Sequence, residues 1–163
     1  MKIIHKCIIL CFLVNLCAGV ATLQAASPSV FAYSVEKSMP QVYGTLYKAL
    51  EDEGYYVVFE ANLGRNLARF AHKWGENYNR RKLDAIRSMV FCNGWYANQV
   101  SNLDPSMLAL CPLSLTLIER QGKTTVLFAR PTVIALNSPA HQILERVEKE
   151  VIEVIKQSLR AGE

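Results

Sequence analysis

Near the end of the chain, Ile143, Leu144, Val147, Val151, Val154, Ile155 and Leu159 recur at steps of one, three and four residues. That spacing predicts one long helix with a continuous apolar stripe, and Ser138 and Pro139 supply a cap and a first helical residue for it. A stripe of this length must be covered, so the rest of the chain has to provide an apolar surface as long as the helix.

The surface is predicted to be a sheet. "VFAYSVE" at 30–36 alternates, with Phe31, Tyr33 and Val35 on one face, and "YYVVFEANL" at 55–63 is rich in β-branched and aromatic residues. A third strand is expected from Ala85 to Asn93 and a fourth through Leu113, Leu115 and Leu117. Gln121 and Gly122 make a tight hairpin into a fifth, from Thr124 to Arg130. Between the first two strands, Ser38 and Gln41 form a capping-box pattern, Pro40 sits in the first turn, and Val42, Leu46, Ala49 and Leu50 keep helical spacing until Gly54. This predicts a helix over 39–53. A shorter amphipathic helix is expected over 65–74, followed by the polar loop "GENYNRRK".

The order implies an α+β fold: an antiparallel sheet of about five strands with the two longer helices on one face. Val58 lies opposite Val57 and Phe59 in sequence alternation, Met89 and Phe91 opposite Ile86 and Val90, and Leu127 opposite Val126 and Phe128. Two helices cannot cover both faces of such strands. The outer face is therefore expected to pack against a second copy, as a homodimer, or to line a cavity.

The first segment, "MKIIHKCIILCFLVNLCAGVATLQAASPS", has Lys2 and Lys6, an apolar run from Cys7 to Leu23, and small residues at Ala25, Ala26 and Ser27. These are the parts of a secretory signal peptide over residues 1–25, removed to leave a single domain over 26–163, periplasmic or secreted and without stable membrane insertion. Without that segment, 16 Lys and Arg face 14 Asp and Glu. A nucleic-acid partner is not expected from so even a balance.

Three of the five cysteines lie in the leader, which leaves Cys92 and Cys111. In an oxidising compartment an even pair is read first as a disulfide. If strands three and four are antiparallel neighbours, the bridge would clamp the loop between Cys92 and Pro112 and stabilise by roughly 3 kcal/mol. Inside the clamp, Asn93, Trp95, Tyr96, Asn98 and Gln99 interleave aromatic faces with amides. That set suits a surface that stacks on and hydrogen-bonds a small polar ligand or a periplasmic protein partner. The competing reading is a thiol-based redox protein, or one handling copper, zinc or haem, built on Cys92 and Cys111 with His72, His141, Met89 or Met107. No Ser-His-Asp order, paired carboxylates or glycine-rich phosphate loop is evident. The chain reads more as a binding domain than as an enzyme, with no catalytic residue and no metal assigned.

From strand three to strand five, "MVFCNGWYANQVSNLDPSMLALCPLSLTLIERQGKTTVLFARP" resembles the domain of unknown function 302 family, with Asn93, Pro112, Leu113 and Gly122 carrying the match. The strand-helix opening from Tyr33 to Phe59 agrees. Many members carry Gly-Asn-Pro where this chain has Cys92, Asn93 and Gly94. The resemblance implies a curved antiparallel sheet with helices on one side, similar to the TATA-box-binding protein, and a homodimer; it implies no reaction.

Overall fold

The computed structural model describes residues 28–160, so the expected leader lies outside the described residues. Strand β1 (Val30–Val35) leads into helix α1 (Met39–Asp52), where Gln41 Oε1 accepts from the backbone N–H of Ser38 at 3.3 Å. After β2 (Tyr56–Ala61) come two short helices, α2 (Leu63–Ala68) and α3 (Ala71–Trp74), and a 3-10 turn at Gly75–Asn77. Strand β3 (Ala85–Cys92) is followed by α4 (Gly94–Leu103) and a 3-10 segment, Pro105–Leu110. The hairpin of β4 (Leu113–Arg120) and β5 (Lys123–Ala129), the single turn α5 (Pro131–Ile134) and the long helix α6 (His141–Arg160) complete the fold.

All strand pairs are antiparallel, in the order β1-β5-β4-β3-β2. The hairpin turns on Gln121 and Gly122, at φ 53° and 76°, the left-handed pair that matches the twist of the strands it joins. The fold is thus α+β, with α1 and α6 packed on one face of the sheet. The core there joins Met89, Phe91, Leu115, Leu117, Val126 and Phe128 from the strands to Val42, Leu46, Leu50, Val151 and Ile155 from the helices. All of these are buried, and each large side chain contributes about 1.5–3 kcal/mol by leaving water.

Two expectations change. The helix expected over 65–74 breaks at Arg69 and Phe70, which leaves the two short pieces α2 and α3. The alternation of β2 breaks as well: Val57 pairs with Phe91 and Phe59 with Val90, so Val58 is an extra residue, a bulge. The bulge turns Glu60 to the helix side, where it accepts from the Tyr43 hydroxyl at 2.6 Å and meets Arg87 at 3.3 Å.

The outer face is mixed rather than uniformly apolar. Ile86, Val90, Ile118 and Leu127 are half-buried and Phe59 is exposed, but between them Ser34 bonds Thr125 at 2.8 Å and Thr116 bonds Ser88 at 3.4 Å.

Candidate functional site

Strand β3 ends at Cys92, and the segment that follows is helical, not a loop. Asn93 starts it: the side-chain Oδ1 accepts from the backbone N–H of Trp95 at 3.1 Å and of Tyr96 at 3.3 Å, satisfying two of the free donors of the first turn of α4. The Asn93-Gly94 pair therefore opens a capped helix, not a tight turn. Asp104 plays the same part for the 3-10 segment, accepting from Ser106 N at 3.1 Å, and its other oxygen accepts from Ser138 Oγ at 2.6 Å.

The helix separates the expected contact residues. Tyr96 turns inward: its hydroxyl donates to Glu150 Oε1 at 2.6 Å, and its ring stacks on Tyr55 with centroids 6.3 Å apart. The Tyr55 hydroxyl donates to the other oxygen of Glu150 at 2.8 Å, so one carboxylate of α6 holds two phenols. Burial, followed by the hydrogen bond to Glu150, raises the pKa of both tyrosines. Trp95 and Asn98 face outward, with Trp95 67% exposed. Gln99 is half-buried, and its amide nitrogen is without a partner among the described residues. Of the five residues, then, Asn93 and Tyr96 are occupied in holding α4, and Trp95, Asn98 and Gln99 remain for contact.

Cys92 and Cys111 do come together. Their sulfurs lie 3.0 Å apart, as free half-buried thiols; the expected bridge is not formed in the structure. Burial, and then the hydrogen bond with Cys92, pushes the Cys111 thiol up to about 12. Behind the pair is a small, mostly apolar cavity of about 30 Å³, walled by Phe91, Tyr96, Val100, Met107 and Leu144. It has room for little more than one water. Met107 thus shares a wall with the thiols, but Met89 is in the main core, His72 is exposed on α3, and His141 lies with Nδ1 3.1 Å from the Ala135 carbonyl. Among the described residues, no group of three or more His, Cys, Asp and Glu is placed to hold a metal ion.

Two anchoring residues escape a reading of the sequence. Glu150 gives no sign, since it lies beside the α6 stripe among other charges. Glu148 does: it sits four residues after Leu144 and three before Val151, inside the stripe itself, and is 4% exposed. It accepts from Arg130 Nε at 2.7 Å and from the backbone and hydroxyl of Thr132, which fastens α5 to α6. Burial would raise its carboxyl, but the bonds from Thr132 and Arg130 outweigh this and hold it below the usual carboxylate range.

A five-stranded antiparallel sheet with two helices on one face and a capped helical excursion between β3 and β4 defines the class. The family model described as "Domain of unknown function DUF302" matches residues 31–161, and the chain belongs to that family. Its fold is similar to that in the crystal structure of an uncharacterized conserved DUF302 protein from Bacillus stearothermophilus, at 19% identity and a TM-score of 0.67. That likeness covers 81% of this chain and 99% of the other. None of the curated proteins matches the chain.

Proposed function

We propose that this is an exported, non-enzymatic protein-binding domain that works as a homodimer and presents the outward side of α4 to a periplasmic partner. The carrying observation is Trp95, 67% exposed on a helix whose opposite side is fixed by Tyr96 and Glu150. An exposed tryptophan on a rigid support, beside Asn98 and Gln99, is the arrangement of a contact anchor with adaptable polar neighbours. A protein partner fits better than a small polar ligand. The helix face is convex, and the cavity behind it is far below the roughly 300–1,000 Å³ of ligand pockets. The half-buried apolar residues of the outer sheet face, with Phe59, support the dimer.

Cys92 and Cys111 serve this surface as a clamp. Transfer of two electrons and two protons to a disulfide oxidant would join the sulfurs at about 2.05 Å and tie both ends of the excursion. The thiol redox reading has the 3.0 Å approach in its favour, but the two cysteines stand at opposite ends of a helical excursion and lack the close Cys-x-x-Cys spacing at a helix start that catalytic dithiols use. A static bridge suits the pair better than a catalytic one.

A photoreactive phenylalanine analogue in place of Trp95, expressed in the native compartment, should give a defined protein adduct, and the same analogue in place of exposed Thr45 on α1 should give none. Equal adducts from both positions overturn the contact reading. Two titratable thiols in unreduced protein, or stoichiometric copper lost with either cysteine, would put the redox or metal reading in place of the clamp. Sedimentation at micromolar concentration should give twice the chain mass, and Phe59→Glu should halve it.

A further inference from the structure

The connection between β2 and β3 has no part in the contact surface described above, yet it is the most unusual piece of the surface. Residues 62–84 contain six Lys and Arg against two acids, whereas the remainder of residues 28–160 contains ten against eleven. The near-neutral total therefore hides a strongly basic segment. None of Arg65, Arg69, Lys73, Arg80, Arg81 and Lys82 is ion-paired among the described residues, and all six are exposed.

The same segment exposes large apolar groups. Leu67, Phe70 and Trp74 are 41%, 47% and 39% exposed, and the rings of Phe70 and Trp74 stack at 5.2 Å. Leu67, Trp74 and Tyr78 line one groove together with Arg65, Arg80 and Arg81, so cationic and aromatic groups are on the same side of the molecule.

We propose that residues 62–84 bind the surface of an anionic phospholipid bilayer. Tryptophan and tyrosine settle at the headgroup level, where the indole and phenol rings meet the acyl boundary and their polar atoms stay wet. Arginine and lysine lay their stems along the apolar groups and keep their charges at the lipid phosphates. Each cation near a negative leaflet adds attraction that fades within a Debye length, so six in one segment bind strongly only where the surface is anionic. A polynucleotide would answer the charge alone; Leu67 and the Phe70–Trp74 stack need an apolar medium as well.

The test uses residues 26–163, which keep every core residue of the fold; the solved relative, 99% of which is covered, contains little beyond this domain. Co-sedimentation with vesicles of mixed phosphatidylglycerol and phosphatidylcholine should show binding that falls with salt, and vesicles of phosphatidylcholine alone should show none. Arg80→Ser with Arg81→Ser should weaken binding about thirtyfold. Phe70→Ser with Trp74→Ser should weaken it at unchanged charge, and Lys48→Ser with Lys123→Ser, which removes two cations elsewhere, should leave it alone. Thermal melts of each variant verify the fold. Absence of binding, equal binding to both vesicles, indifference to the Arg80 and Arg81 changes, or duplex DNA bound more tightly than the anionic vesicles would each overturn the proposal.

Discussion

Strand β3 is entered and left through two long connections of similar length, and they are built in opposite ways. The one that leaves it, from Asn93 to Pro112, is pinned: Tyr96 and Tyr55 share Glu150, Asp104 binds Ser138, and the Cys92 and Cys111 sulfurs meet at its base. The one that enters it, residues 62–84, makes few such ties. Asn62 caps α2 through Arg65 N at 2.9 Å and Asn79 bonds Leu83 in both directions, contacts that stay within the segment, and the segment is tied to the hairpin at its last residue, where Asp84 accepts from Gln121 N at 2.6 Å. Length alone therefore does not decide whether a connection joins the core. What decides is whether its apolar side chains find partners on α6, as Tyr96 and Val100 do and Phe70 and Trp74 do not.

The contrast can be broken most strongly at the thiols. In oxidised protein, Cys92→Ser with Cys111→Ser should cost about 3 kcal/mol in urea denaturation, because the closed loop no longer restricts the unfolded chain. The reduced protein carries a pH signature too. Cys111 is raised above its ordinary value of about 9, so the stabilisation is complete below that pH and is lost as pH rises towards about 12. Melts of reduced protein should show this alkaline loss, and Cys111→Ser should diminish it.

Glu150→Ala comes next, at about 2 kcal/mol, since two phenol hydroxyls lose a charged acceptor at once. Near-ultraviolet circular dichroism should report the loosening of the Tyr55–Tyr96 stack. The smallest changes separate the two connections directly. Asn93→Ala removes a helix cap and should cost about 1 kcal/mol, whereas Arg80→Ala in the other connection should stay within about 0.5 kcal/mol of wild type. Equal costs would abolish the distinction.

The same contrast governs what could be read from the residues. Strands β1, β3, β4 and β5 and helices α1 and α6 announce themselves because one side of each is buried along its whole length, so the period of the element appears in the sequence. Helix α4 does not. "GWYANQVSNL" holds glycine, two asparagines, serine and valine among its ten residues, a poor intrinsic helix former, and it is held by its cap and by Tyr96 and Val100. Nothing in Val57-Val58-Phe59 marks where the bulge falls, because all three are equally good strand residues. The cysteines were legible as a pair, since two strand ends flanking one connection must lie close. That Asn93 and Tyr96 serve the helix rather than its surroundings depends on Glu150, 54 positions along the chain from Tyr96.

The bulge at Val58 also bears on how the edge of the sheet resists pairing with further strands. Strand β2 is one of the two edges of the sheet, and Tyr56, Val58 and Phe59 on it are each more than 60% exposed. A straight edge of that composition is a template for further strands, with every unpaired amide offered to the next chain. An inserted residue bends the edge, interrupts its hydrogen-bonding rhythm and turns Glu60 away from where an uninterrupted strand would put it. The irregularity that spoils the alternation thus acts as a guard against fibrous assembly. Removal of Val58 should restore a regular edge and raise light scattering on heating well before the core itself melts.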